Sequence, residues 1–162
     1  MVKFILFALI FIAVLFVVIR DKKPVAANAE IMINAPIKKI WEIQTNLSGW
    51  KNWNSDIQSM QVTGDVGLGT NFTWKAGGIT IESTITEYSP YSKIAWKGKT
   101  IGINAYHTWQ FTETENGTLA HTEEAFTGVL AWLMPGTMRN QIEKALAHGV
   151  KVLKQVSENS KS

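Results

Sequence analysis

Between residues 57 and 127 apolar residues recur at every second position, and turn-forming residues interrupt them at regular intervals. That is the pattern of antiparallel strands in a meander. It predicts six strands, over 57–63, 69–76, 78–88, 92–99, 102–113 and 118–127. Gly64-Asp65, Gly77-Gly78, Ser89-Pro90 and Asn116-Gly117 separate them, each supplying the backbone freedom or local hydrogen bonding that a turn requires. In the third strand Ile79, Ile81 and Ile85 alternate with Thr80, Glu82, Thr84 and Thr86. One face of the sheet is therefore buried and the other wet.

The flanks of this region follow other periods. Residues 29–34 alternate as a short strand that ends at Ala35-Pro36. Ile37, Ile40, Trp41 and Gln44 then recur at helical spacing through Thr45, with proline suited to the first turn. Ser48 to Trp53 forms a tight helical turn or loop. After an apolar lead-in over 129–134, a long helix runs from Gly136 or Thr137 to Ser157, its apolar stripe being Met138, Ile142, Ala145, Leu146, Val150, Leu153 and Val156. The predicted architecture is α+β: a curved antiparallel sheet wrapped over the final helix.

Sixteen consecutive apolar residues, from Phe4 to Ile19, stand apart from this body, fenced by Lys3 and by Arg20, Asp21, Lys22 and Lys23. At about 1.5 Å per residue the run falls short of a hydrocarbon core near 30 Å, but Met1, Val2 and a snorkelling Lys3 bring it close. Ala27-Asn28-Ala29 offers a small-x-small cleavage site, yet it lies behind a basic cluster and Pro24 that suit a stop-transfer flank better. We expect an N-terminal membrane anchor over 1–23, a linker over 24–28 and one domain over 29–162. The basic flank leans toward a cytoplasmic body, with a short N-terminal tail retained inside as the alternative.

Charge and cysteine usage remove several functions. The anchor and its flank account for the whole net charge of +3, leaving the body balanced and without the clustered positive charge of a nucleic-acid-binding surface. No cysteine is present, which excludes disulfides, thiolate metal sites and a thiol nucleophile.

The order of elements resembles the START-like, or SRPBCC, superfamily with its helix-grip fold, in particular its bacterial polyketide-cyclase/dehydrase-type members. The resemblance covers about residues 28 to 158. It is carried by Ile31-Met32-Ile33-Asn34-Ala35-Pro36 with Ile40-Trp41, Trp50-Lys51-Asn52-Trp53-Asn54, Gly69-Thr70-Asn71-Phe72-Thr73-Trp74, Ile85-Thr86-Glu87-Tyr88, Ile94-Ala95-Trp96 and His107-Thr108-Trp109-Gln110-Phe111. It implies a cavity between sheet and final helix that holds an apolar or amphipathic ligand such as a lipid, sterol, polyketide or aromatic metabolite. It does not imply a reaction, because a fold names an architecture and not a chemistry.

The candidate ligand-binding residues are Trp41, Trp53, Trp74, Ile81, Trp96, His107, Trp109, His121, Glu123, Met138 and Ile142. Seven tryptophans can wall a pocket or simply fill a core. A three-residue turn at Glu115-Asn116-Gly117 would put Trp109 opposite Glu123 and give His107, His121 and Glu123 one strand parity. His107 with Glu123 is then the weak candidate for acid–base work of the cyclase or dehydratase type, weighed against a buried polar cluster satisfied by its own hydrogen bonds. The same trio lacks compact ligand spacing, so no metal and no cofactor is expected. The primary expectation is membrane-tethered binding of a hydrophobic small molecule or lipid; a catalytic domain and an interaction module with a filled core are the alternatives. The 129–134 stretch is read as a lid, a membrane-touching lip, or a segment packed under the sheet edge.

Overall fold

The computed structural model describes Phe4, Ile5, Phe7 and residues 22–159. The expected anchor therefore lies almost wholly outside the described residues. Among the described residues no helix is long and apolar enough to cross a membrane.

Seven strands form one antiparallel sheet: β1 (Val25–Ile33), β2 (Ile57–Val62), β3 (Asn71–Ala76), β4 (Ile79–Ser89), β5 (Lys93–Thr100), β6 (Ile103–Thr114) and β7 (Gly117–Thr127), in the order β1-β7-β6-β5-β4-β3-β2. Between β1 and β2 come helix α1 (Ile37–Thr45) and a 3-10 turn, η1 (Leu47–Asn52). The short α2 (Val129–Leu133) and the long α3 (Pro135–Asn159) follow β7. This is the helix-grip arrangement, a curved α+β sheet closed over a C-terminal helix. β1 begins at Val25 and not at residue 29, because Val25 to Asn28 pair with Phe126 to Glu123 and continue the ladder. What reads as linker is thus the first half of an edge strand.

The alternating residues decide which face is covered. Ile85, Ile94, Trp96, Trp109, Phe111 and Ala120 point to the helix side and are buried, joined there by Ile33, Ile40, Trp41, Leu47 and Leu153 in one core cluster. Val25, Ala131, Met138, Ile142 and Leu146 make a second. On α3 the buried stripe is Met138, Ile142, Leu146, Val150, Leu153 and Ser157; Ala145 is exposed, although the periodicity puts it on the stripe. It sits at the edge of the stripe, where the helix face turns toward solvent.

The hairpin between β6 and β7 is one residue tighter than expected. Thr114 pairs with Gly117, leaving Glu115 and Asn116 as a two-residue loop, and Gly117 takes φ +118°. A side chain is unwelcome there, since a Cβ on Gly117 would come within 2.2 Å of the Ile33 carbonyl oxygen. A one-residue change in a hairpin turns every following side chain to the other face. The consequence falls on the candidate site.

Two carboxylates tie the outside of the fold. Lys93 Nζ lies 2.7 Å from Glu87, which also accepts the Tyr106 hydroxyl hydrogen bond. These bonds, that from Lys93 first, hold the Glu87 carboxyl below its ordinary range, and the bond to Glu87 raises the Tyr106 phenol. At the end of α3 Glu158 accepts from Lys154 Nζ at 2.7 Å and from the Asn34 N–H at 2.8 Å, and the first of these bonds chiefly lowers its pKa. A carboxyl more acidic in the folded state contributes stability above its unfolded pKa, about 4.3, and loses it as pH falls through the folded value. We therefore expect Glu158→Gln to melt below the parent at neutral pH, and the gap to close in circular-dichroism melts as the pH falls through the lowered Glu158 value. A difference that persists unchanged in acid would contradict this.

Candidate functional site

The interior is solid at one end and hollow at the other. At the solid end Trp41 packs edge-on to Tyr88 with ring centroids 5.2 Å apart, and to Phe111 at 6.2 Å. Toward the β3–β4 and β5–β6 turns, sheet and α3 diverge around a cavity of about 460 Å³. That volume lies in the lower part of the roughly 300–1,000 Å³ range of small-molecule pockets. It suits one ring system or a single acyl chain better than a two-chain lipid.

An aromatic wall lines it. Trp50 leans on Trp96 at 5.5 Å, its indole N–H donating to the Gln44 carbonyl oxygen at 2.8 Å. Trp96 stacks on His107 at 4.5 Å and 28°, and His107 is nearly parallel to Trp109 at 6.1 Å and 12°. These rings come from neighbouring strands at alternate positions, so the pleat sets their succession. Trp53, Trp74, Ile81, Ile103, Phe126, Ile142 and Leu146 complete the apolar surface. The lining residues Asp56, Gly77, Ile79, Lys99 and Gln141 are exposed and mark the mouth.

Of the expected ligand-binding residues, Trp53, Trp74, Ile81, Trp96, His107, Trp109 and Ile142 border the cavity. Trp41 belongs to the solid end, and Met138 to the second core cluster with Val25 and Ala131. Glu123 and His121 are corrected by the register. Trp109 faces Thr122, Glu123 faces Thr108, and both Glu123 and His121 turn to the outer face, where His121 Nδ1 is 3.6 Å from Glu30. The carboxylate that reaches the cavity is Glu124, opposite His107 in the ladder. Reading Asn116-Gly117 as the close of a two-residue hairpin would have found it.

His107 and Glu124 form the polar feature of this wall. His107 Nδ1 stands 3.3 Å from Glu124 Oε1, and their side chains are 13% and 12% exposed. His107 Nε2 is 2.9 Å from Thr122 Oγ1, whose hydroxyl donates to the Thr108 carbonyl oxygen at 2.9 Å. The Gln44 side-chain oxygen is buried without a hydrogen-bond partner in the same region. Among the described residues no group of three or more His, Asp or Glu is placed to hold a metal ion.

A wider concavity of about 850 Å³ lies on the outer face, lined by Asn71, Thr84, Lys97, Lys99 and Tyr106 among others. It is open to solvent and rimmed by the exposed Asn71, Glu82, Lys97 and Lys99, so it has little means of desolvating an apolar guest.

Comparison with known proteins places this architecture. No curated protein matches the chain by sequence. Among solved structures, a hypothetical protein of Helicobacter pylori superposes with a TM-score of 0.72 at 16% identity, over 83% of this chain and 88% of that one. A START superfamily protein of Mycobacterium smegmatis gives 0.71 at 12% identity, over 82% and 97%. The di-domain ARO/CYC StfQ of the steffimycin biosynthetic pathway gives 0.71 at 13%, over 83% of this chain and 51% of that one. At such identities the likeness shows the fold alone. The sequence model of a family described as polyketide cyclase / dehydrase and lipid transport matches residues 24–158. The chain, with its seven-stranded sheet gripping one long helix around an aromatic hollow, belongs to the polyketide cyclase/dehydrase and lipid transport family.

Proposed function

We propose that this protein binds a hydrophobic small molecule or lipid in the cavity between sheet and α3, and does so while tethered to a membrane by residues 1–23. The observation that carries the reading is the hollow itself, about 460 Å³ walled by tryptophan. Burying apolar ligand surface there gains about 25 cal/mol per Å². A filled core, as an interaction module would have, leaves no such space.

The tether is supported by where the chain enters the fold. β1 starts at Val25, paired with Phe126, at the same end of the sheet as the cavity mouth. Arg139 Nη1 donates to the Ala26 carbonyl oxygen at 2.7 Å and joins the start of α3 to that entry. Around this end Ile79, Ile101, Val129, Leu133 and Met134 are 44–91% exposed. α2 is packed under the β5–β6 turn by the fully buried Ala131 and by the Leu130 N–H bond to the Gly102 carbonyl oxygen, so Val129 and Leu133 form a fixed rim and not a loose lid. An apolar run leading into Lys22 and Lys23, followed at once by the mouth end of the fold, favours a bilayer as the surface this rim meets. A ligand leaving the bilayer would then pass to the cavity without crossing water. The body is read as cytoplasmic, in line with its basic flank.

A second reading, acid–base chemistry of the cyclase or dehydratase kind, is favoured by one observation: an imidazole and a carboxylate 3.3 Å apart at the cavity wall. Its carboxylate is Glu124 and not Glu123.

The test uses full-length protein in membranes washed with alkaline carbonate, then purified, extracted with organic solvent and analysed by mass spectrometry. The chain should stay in the pellet and release one apolar compound in near-stoichiometric amount. Recovery in the wash would refute the tether, and an extract holding only bulk membrane lipid would refute the cargo.

A further inference from the structure

The atoms around His107 fix where its protons lie. A backbone carbonyl oxygen only accepts, so the Thr122 hydroxyl, 2.9 Å from the Thr108 carbonyl, spends its single proton there. Thr122 Oγ1 must then accept from His107, which makes Nε2 a donor at 2.9 Å. The remaining ring nitrogen, Nδ1, faces Glu124 Oε1 at 3.3 Å. A bare nitrogen lone pair and a carboxylate at that distance, between tryptophan rings, would repel each other. A single proton held between Nδ1 and Oε1 removes that repulsion.

The separation is longer than a good hydrogen bond, and Nδ1 is buried with no hydrogen-bond partner. A guest group placed at this point has to accept from the proton-bearing partner and donate to the other. A ketone or ether oxygen can only accept, and an ammonium can only donate. A hydroxyl does both. On either side of His107 the wall is Trp96 and Trp109, nearly parallel to the imidazole, which favours a flat ring as the body of the guest.

We propose that the His107–Glu124 pair, held by Thr122, is the polar end of the binding site and takes the free hydroxyl of an apolar, ring-bearing ligand. The inference rests on the cavity-binding reading and names the chemistry that the cavity selects. Without the hydroxyl, the pair would be covered by apolar surface and left imperfectly bonded, which is how a buried polar site rejects an analogue lacking its partner group.

The test compares naphthol, its methyl ether and naphthalene as probes, by equilibrium dialysis against full-length protein in nanodiscs, with protein-free nanodiscs as the blank. Naphthol should bind about tenfold or more tighter than either analogue, as expected when a buried polar pair is otherwise left without its hydrogen-bond partner. Replacing both partners by apolar groups, His107→Phe with Glu124→Leu, avoids orphaning either one. It should bring the three affinities within about threefold of one another. Should that double variant fail to fold, Glu124→Gln must still narrow the preference. Equal affinities in the unaltered protein would overturn the hydroxyl assignment and leave the cavity reading intact, whereas binding of none of the three would overturn both.

Discussion

Replacing Ala145 with tryptophan should weaken uptake of apolar ligands severalfold or more while leaving the melting temperature within a few degrees of the parent. Ala145 lies on α3, borders the cavity and is exposed, so its methyl group supports little of the core. One turn further on, a Cβ at Gly149 would touch the Trp109 ring at 3.7 Å. Residues four apart share a helix face, so the 145 side chain also looks toward that wall. An indole there would fill part of a hollow of about 460 Å³ and stand against the Trp109 wall where a guest ring would lie. Titration with an environment-sensitive apolar dye reads the outcome. Unchanged dye binding would mean that ligands enter elsewhere.

At the solid end the largest stability effect is expected from Leu153→Ala. Leu153 is fully buried on α3 in the cluster that includes Ile33, Ile40, Trp41 and Phe111, where the helix is gripped by sheet and α1 together. Truncating a buried leucine costs about 2–5 kcal/mol, depending on how far the surroundings collapse. For a chain of this size that is roughly 4–20 °C in Tm. The exposed rim residue Leu133 provides the contrast: its truncation should cost no more than about 0.5 kcal/mol. Thermal melts of the two variants side by side would show whether stability resides at the closed end.

The fold was legible because its signals are redundant. Alternation over β4 and β6, with turn residues such as Gly77-Gly78 and Asn116-Gly117 between strands, marks the meander however each boundary is drawn, and the stripe from Met138 to Leu153 marks the helix that covers it. The start of β1 was not legible: Val25-Ala26-Ala27-Asn28 has small residues and a wet outer side, and only pairing with β7 makes it strand. The site was legible in part. Trp74, Trp96, His107 and Trp109 fall inward on strand parity alone, and Trp53 closes the 3-10 turn beside them. Glu124 was missed because parity in β7 depends on one residue of turn length, and Asn116-Gly117 fits either a two- or a three-residue loop until the Gly117 backbone is seen against Ile33. Trp41 and Met138 have the same inward parity as the cavity residues. Whether an inward residue meets a neighbour or an empty space is set by how sheet and helix diverge along their length, which periodicity does not encode.

The binding cavity is tested most directly by diffraction from crystals soaked with a brominated naphthalene, using bromine's anomalous signal to locate the guest. A peak between Trp96, Trp109 and Ile142, inside the sheet and beneath α3, is the predicted result. Bromine found only on the outer face near Lys97 and Tyr106, with the tryptophan rings closed together in the interior, would contradict it.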